Sequence, residues 1–221
     1  MYINEPKEKA QAVIIWLHGL GSSAENMSIL ANELHFKHPV KHVFLQAPSR
    51  PITINGGMVM PGWYDITGQS ILDRQDVEGM KQSTDLVHQA IDAQLNSDYS
   101  SEDIYLAGFS QGAAVTLFAG MSYPRPLGGL VVMSGYLPCQ DCVAFQQPQT
   151  LPVFFGAGEF DNIVLPQWSH QGFQLLKTKG YGELILRDYN MGHEICSEEL
   201  NDLASWLNER IEIHMQKLEG L

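Results

Sequence analysis

Short apolar runs, separated by stretches with helical periodicity, are the feature of this 221-residue sequence that most constrains its fold. Within each run the apolar residues follow one another without polar residues between them, which is typical of strands covered on both faces of a parallel sheet. Strands with one wet face would alternate apolar and polar residues instead. The runs predict six strands: Ala12–Leu17, Val43–Leu45, Ile104–Ala107, Gly129–Met133, Pro152–Phe155 and Leu184–Leu186.

Helices are expected after these strands, because apolar residues recur there at three- and four-residue steps or follow a helix-start signal. Ser22 and Glu25 have the spacing of a capping box. Strands alternating with helices predict an α/β fold with a mostly parallel central sheet and helices on both faces, as one domain over residues 1–221 without a large lid. The expected helices run from Ser22 toward Leu34, from Val77 to about Asn96, onward from Gly112, onward from Pro166, and across Leu200–Ile211.

The charge balance excludes several classes of partner. The 25 acidic and 13 basic residues give a formal net charge of −12, without a run of Lys or Arg. Nucleic acids and anionic membrane surfaces require a positive face, so neither is expected as a partner. The longest apolar stretch, Ala12–Leu17, is far shorter than the ~20 residues that span a bilayer, so stable membrane insertion is not expected. The polar first residues and the three cysteines favour a cytoplasmic protein.

Residues 108–112, Gly-Phe-Ser-Gln-Gly, form the single G-x-S-x-G pattern of the chain. An apolar run precedes the pattern and a helix-compatible run follows it, which is the context of a nucleophile elbow. Because a serine hydroxyl becomes an effective nucleophile when a base takes its proton, Ser110 is the candidate nucleophile. The alternative is a packed strand–helix turn in which the serine has no chemical role.

A base and an orienting acid are expected after Ser110 in the chain order Ser, Asp or Glu, His. His193 lies between the last strand and the last helix, where such a base belongs. Asp161 follows a strand at its carboxyl end, where sites in open α/β sheets lie, and is the candidate acid. Asp188 is the runner-up, although it stands very near His193 in the sequence.

Attack of a serine on a carbonyl also requires two hydrogen-bond donors for the oxyanion that forms. The backbone N–H of Gln111 is one candidate, helped by the positive end of the helix that begins there. The second candidate is the N–H of Leu20, in the glycine-containing turn Leu17–Gly21. That turn could also be a simple tight turn or a phosphate cradle, but the glycine-rich nucleotide patterns are absent, which disfavours nucleotides.

The sequence contains two groups of residues that could bind a metal, and each can also have a purely structural role. His35, His38 and His42 stand close together, but no carboxylate or cysteine joins them. Cys139 and Cys142 form a C-x-x-C pair, which is compatible with redox chemistry or half a zinc site but lacks a second pair. No metal and no cofactor are therefore expected.

Taken together, these motifs resemble the carboxylesterase/phospholipase family of α/β-hydrolases, which includes the acyl-protein thioesterases. The resemblance implies the α/β-hydrolase fold, a triad of Ser110, Asp161 and His193, and oxyanion donation by Leu20 and Gln111. It rests on motifs that follow one another from the first strand to the last helix: Leu17–Gly21, Pro51–Met58 with Trp63-Tyr64-Asp65, Gly108–Gly112, Asp161 with Val164, and Gly192-His193.

The resemblance further implies cleavage of carboxylic esters or thioesters through an acyl-serine. The expected substrates are a small-molecule ester, a lysophospholipid or an acylated protein. Met58, Met60 and Trp63 are implied to line an acyl groove, with a buried structural Trp63 as the alternative. A non-catalytic acyl-binding protein on the same fold is the competing hypothesis, and the sequence leaves a homodimer open.

Overall fold

The uninterrupted apolar runs form the interior of a central sheet. In the computed structural model, which describes residues 1–68, 73, 75–97 and 99–220, all six residues of Ala12–Leu17 are buried. The described strands are β1 Tyr2–Asn4, β2 Ala12–Leu17, β3 Val40–Leu45, β4 Ser49–Ile52, β5 Met58–Pro61, β6 Ile104–Phe109, β7 Gly129–Met133, β8 Val153–Gly158 and β9 Leu184–Tyr189.

Seven of these strands form one sheet in the order β1-β3-β2-β6-β7-β8-β9. All neighbours pair in parallel except β1, which pairs antiparallel with β3. The sequence prediction missed β1 because its three residues are all exposed at the edge of the sheet, where no buried face imposes an apolar pattern. The strands β4 and β5 pair with each other in a separate hairpin.

The helices occupy the expected intervals with shifted ends. The first begins after the N-cap Ser23, whose Oγ accepts a hydrogen bond from the N–H of Asn26 at 3.2 Å, and not at the pair Ser22 and Glu25. It also ends short of Leu34. The described helices are α1 Ala24–Ala31, α2 Val77–Leu95, α3 Gln111–Ser122, α4 Pro166–Thr178 and α5 Ser197–Glu219.

Two apolar cores cover the two faces of the sheet. Along β2, Val13 and Ile15 enter the core that contains residues of α2, α3 and α4. Ile14 and Trp16 enter the other core, with residues of α1 and α5. This alternation confirms the predicted arrangement of helices on both faces of a mostly parallel sheet. In the part of the chain that the structure describes, no helix has both the length and the apolar character of a membrane span.

Candidate active site

The G-x-S-x-G turn places Ser110 between β6 and α3 in a strained backbone conformation. Its φ of 57° and ψ of −121° are rarely adopted by residues other than glycine. A Cβ atom on Gly108 would collide with the carbonyl group of Gly112, and one on Gly112 would collide with the carbonyl oxygen of Leu17. The two glycines are therefore needed because the turn folds back on itself and presses against β2.

The three residues predicted to cooperate lie in hydrogen-bond contact. The Oγ of Ser110 is 2.8 Å from Nε2 of His193, and Nδ1 of His193 is 2.7 Å from Oδ2 of Asp161. The side chain of Asp161 is 0% exposed and that of His193 is 19% exposed. The other oxygen of Asp161, Oδ1, accepts from the backbone N–H groups of Ile163 and Val164, each at 2.9 Å. This arrangement can move a proton away from the serine hydroxyl and support the resulting imidazolium.

The loops that carry the acid and the base are joined to each other. The backbone N–H of Phe160 donates to the carbonyl oxygen of Met191 at 3.0 Å. The backbone N–H of Glu159 donates to the carbonyl oxygen of Tyr189 at 2.8 Å. A Cβ on Gly158 would collide with the carbonyl oxygen of Gly192. Because the two loops pack backbone against backbone, the spacing between acid and base is set by main-chain contacts.

The two residues predicted to donate backbone amides, Leu20 and Gln111, line the same cavity as Ser110. Gln111 is the first residue of α3, and Leu20 lies in the turn after β2. Neither amide has a hydrogen-bond acceptor among the residues that the structure describes. The Leu20 turn is held by a hydrogen bond from the N–H of Gly21 to the carbonyl oxygen of Pro61 at 2.8 Å. These unpaired donors are available to a ligand oxygen.

His18 fixes the base of the Leu20 turn, a role that the sequence did not reveal. Its Nε2 accepts from the backbone N–H of Ala47 at 3.1 Å, so Nδ1 carries the proton and donates to the carbonyl oxygen of Gly19 at 2.7 Å. Burial lowers the pKa of His18, which keeps the ring neutral. The carbonyl oxygen of His18 in turn accepts from the indole N–H of Trp63 at 2.8 Å.

The side chain of Gln111 clamps the segment after the β4–β5 hairpin onto the elbow. Its Oε1 accepts from the backbone N–H of Trp63, and its Nε2 donates to the carbonyl oxygen of Tyr64, both at 2.8 Å. The sequence gives no indication of these contacts, because the partners of Gln111 lie 48 and 47 positions away in the chain.

The expected groove residues Met58, Met60 and Trp63 do not line the cavity at Ser110. Trp63 is 0% exposed, and its indole packs against His18 and donates to that residue's carbonyl group, so its role is structural. Met58 is 63% exposed on β5, and Met60 lies beside Gly21. We call the cavity of about 310 Å³ at Ser110 the Ser110 cavity; its apolar wall contains Leu20, Tyr64, Ile66, Tyr136, Ile163 and Val164.

The runner-up acid and the histidine cluster have other partners. Asp188 pairs with Nε2 of His170 at 2.7 Å on the surface. His42 accepts from the indole N–H of Trp16 at 3.0 Å, and burial lowers its pKa to about 4. His38 lies 4.0 Å from Glu212. Within the described ranges no group of three or more His, Cys, Asp or Glu side chains is arranged to hold a metal ion.

Comparison with known proteins agrees with this geometry. The family model described as Phospholipase/Carboxylesterase matches residues 1–211. Acyl-protein thioesterase 1 of Schizosaccharomyces pombe is 44% identical over 137 residues, which cover 62% of this chain and 61% of that protein. Acyl-protein thioesterase 1 of Kluyveromyces lactis is 35% identical over 219 residues, which cover 93% and 95%. The crystal structure of Arabidopsis thaliana SOBER1 superposes with a TM-score of 0.81 at 30% identity, covering 90% of this chain and 99% of that one. This chain belongs to the phospholipase/carboxylesterase family of α/β-hydrolases.

Proposed function

We propose that this protein is a serine hydrolase that cleaves carboxylic ester or thioester bonds of acyl substrates through an acyl-Ser110 intermediate. The observation that carries the proposal is the continuous chain of contacts from Asp161 through His193 to Ser110, beside an apolar cavity and two unpaired amides. The names of the relatives, acyl-protein thioesterase and carboxylesterase, support the same reaction class.

In the acylation step, Nε2 of His193 takes the proton of Ser110 while Oγ attacks the substrate carbonyl carbon. The carbonyl oxygen becomes an oxyanion that accepts from the N–H groups of Leu20 and Gln111. Asp161 holds the proton on Nδ1 of His193 and stabilises the imidazolium. The imidazolium then protonates the leaving alcohol or thiol, the bond to the leaving group breaks, and the acyl group remains on Ser110.

In the deacylation step a water molecule replaces the leaving group. His193 takes a proton from the water, which attacks the acyl-Ser110 carbonyl and forms a second oxyanion at the same two amides. Collapse of this intermediate breaks the bond to Oγ and returns the proton to Ser110. The products are the carboxylic acid and the regenerated enzyme, so the cycle consumes one water molecule.

The apolar wall of the Ser110 cavity supports an acyl chain as the recognised part of the substrate. A long acyl chain can make apolar contacts with Tyr64, Ile66 and Val164, whereas a short acyl group is too small to reach them. Small-molecule esters, lysophospholipids and acylated proteins all present such a chain beside a carbonyl. We place the reaction in the cytoplasm, in keeping with three free thiols and a formal net charge of −12. Light scattering would measure whether the enzyme is a homodimer.

Fluorophosphonate labelling tests the proposed nucleophile. The probe should attach to Ser110, because only an activated hydroxyl attacks it, and Ser110→Ala should stay unlabelled. Ser22→Ala is the matched control, since Ser22 lines the same cavity and its loss should leave labelling at Ser110. A folded parent protein that resists the probe would instead support the acyl-binding hypothesis.

A series of nitrophenyl esters and acyl thioesters of increasing length tests the proposed substrate class. Each methylene that enters the apolar cavity should raise kcat/KM by about fourfold, the equivalent of ~0.8 kcal/mol, until the cavity is filled. A profile that is flat from the acetyl ester onward would show that the acyl chain does not occupy the Ser110 cavity.

A further inference from the structure

Cys139 and Cys142 lie at the two ends of one tight turn. The backbone N–H of Cys142 donates to the carbonyl oxygen of Cys139 at 2.7 Å, which closes a tight turn over residues 140–142. The turn therefore brings the two cysteines close together, with Cys139 at its start in the left-handed conformation at a φ of 46°.

The two thiols differ in their access to solvent. Cys142 is exposed, whereas Cys139 is half-buried. Burial raises the pKa of the Cys139 thiol to about 11, and the neighbouring Cys142 thiol adds to this shift. An oxidant in solution therefore meets Cys142 first, and Cys139 is the thiol beside it that can complete a second step.

The turn is attached to the wall of the Ser110 cavity. Tyr64 and Tyr136 line that cavity, and their hydroxyl groups are hydrogen-bonded to each other. Cys139 packs against the core cluster that contains both Tyr64 and Tyr136. The backbone N–H of Cys139 donates to Oε1 of Gln75, which ties the turn to the segment ahead of α2. A conformational change of this turn would therefore occur directly beside two side chains that line the Ser110 cavity.

We propose that Cys139 and Cys142 form a redox modification site, in which a low-molecular-weight disulfide such as glutathione disulfide drives a reversible internal disulfide that alters the wall of the Ser110 cavity. The Cys142 thiolate attacks one sulfur of glutathione disulfide, whose S–S bond breaks and releases one glutathione thiolate. The Cys139 thiolate then attacks the sulfur of Cys142 and releases the second. The cysteines lose two electrons, glutathione disulfide gains them, and the two protons of the cysteines end on the two glutathione molecules.

The remaining cysteine provides an internal control. The Sγ of Cys196 caps α5 and accepts a hydrogen bond from the backbone N–H of Glu199 at 3.4 Å. It has no cysteine three positions away, so it lacks the neighbouring thiol that would close a ring. The substitution Cys196→Ser should leave the proposed oxidation unchanged.

The thiol chemistry is tested on the full chain with glutathione disulfide, differential alkylation and peptide mass mapping. The parent protein should acquire a disulfide between Cys139 and Cys142. The variant Cys139→Ser should stop at a mixed disulfide on Cys142, and Cys142→Ser should leave Cys139 as a free thiol. Persistence of both free thiols in the parent, or modification of Cys139 in Cys142→Ser, would overturn the proposal.

The pH dependence of ring closure separates this order of steps from random oxidation. Burial keeps the pKa of the Cys139 thiol above its ordinary value of 9.0 after Cys142 has entered the mixed disulfide, so below that pH the thiolate fraction of Cys139 rises about tenfold per pH unit. Conversion of the mixed disulfide to the internal disulfide should therefore accelerate about tenfold per unit between about pH 7 and pH 9. A pH-independent rate would contradict attack by Cys139.

The link to the cavity is tested by hydrolysis before and after oxidation. The ratio of kcat/KM for a long-chain ester to that for an acetyl ester should change by about fourfold, the effect of one methylene gained or lost from the wall contacts. The double variant Cys139→Ser with Cys142→Ser should show the same ratio with and without oxidant. An unchanged ratio in the oxidised parent would overturn the effect on the cavity. The thiol measurements need no hydrolysis, so they succeed or fail separately from the proposed function.

Discussion

Two aspartate–histidine pairs in this molecule have the same separation and opposite exposure. Asp161 lies 2.7 Å from His193, and Asp188 lies 2.7 Å from His170. The exposed fractions are 0% and 19% for the first pair, but 39% and 41% for the second. Separation alone therefore does not distinguish a pair positioned for chemistry from an ordinary surface contact.

The pairs differ in which ring nitrogen contacts the acid and in what holds the acid. His193 turns Nδ1 toward Asp161, and its Nε2 remains to contact Ser110. His170 uses Nε2 for Asp188, so the nitrogen at the tip of its ring is already occupied. Asp161 also accepts from two backbone amides with its other oxygen, which fixes the carboxylate. Burial, anchoring of the second oxygen and the contact of Nε2 with Ser110 distinguish the first pair.

The largest expected effect comes from removing the histidine of the first pair, with the histidine of the second pair as its control. His193→Ala should lower kcat for ester hydrolysis by about 10⁴ or more, as should Ser110→Ala, because the proposed nucleophile and its proposed base would act as a unit. His170→Ala should stay within about twofold of the parent, since it touches no reacting atom. Steady-state kinetics on a nitrophenyl ester, with circular dichroism to verify folding, measures both. Activity of a folded His193→Ala within tenfold of the parent would remove His193 from the mechanism.

Replacing the acids tests whether burial or mere proximity to a histidine matters. Asp161→Asn should lower kcat by about 10⁴, because the amide no longer holds the tautomer of His193 that accepts the Ser110 proton. Asp188→Asn should keep at least a tenth of the parental activity. The reverse result would assign the orienting role to Asp188, and the same kinetic assay decides between them.

Glu199 extends the comparison to a carboxyl group without a partner. It is 0% exposed, its oxygens have no hydrogen-bond partner among the described residues, and burial raises its pKa from 4.5 to about 8. Between these values the folded protein retains a proton that the unfolded chain releases. The contribution of Glu199 to the free energy of unfolding should therefore fall as pH rises from about 4.5 to about 8, by up to ~1.4 kcal/mol per unit, and then level off; buried His18 and His42 contribute with the opposite sign at the acidic end, so the difference between parent and variant isolates Glu199.

The variant Glu199→Gln should remove most of this slope, because a neutral amide has no proton to retain. Glu198→Gln, at the exposed neighbouring position in α5, is the matched control and should keep the slope. Urea denaturation at about pH 5 and about pH 8 measures the difference. Parallel profiles for the parent protein and Glu199→Gln would mean that Glu199 is ionised in the fold.

The sequence predicted those features whose cause is local. The apolar runs predicted the buried strands, and the glycines around Ser110 marked a turn that cannot accommodate side chains at those positions. The role of Trp63 was not predictable, because an aromatic residue in a loop has the same local pattern in a cavity wall and in a core. Its burial depends on the carbonyl group of His18, 45 positions away.

The same limit applies to the wall of the Ser110 cavity. The resemblance placed the groove at Met58, Met60 and Trp63, whereas the wall of the Ser110 cavity contains Tyr64 and Ile66, just after Trp63 in the chain. Which side chains of this segment face the cavity depends on how Gln111 holds the backbone at Trp63 and Tyr64. Such contacts follow from tertiary packing and leave no pattern in the sequence.

The smallest expected effect is the contribution of the surface pair to stability. A double-mutant cycle with His170→Ala and Asp188→Ala should give a coupling free energy below about 1 kcal/mol, because water and ions screen a pair with this exposure. The coupling should weaken further between about 0.05 M and about 1 M salt, as the screening length becomes comparable to the separation of the charges. Urea denaturation of the parent, both single variants and the double variant provides the cycle. A coupling of several kcal/mol that salt leaves unchanged would mean that Asp188 and His170 are held as rigidly as Asp161 and His193, and exposure would then no longer separate the two pairs.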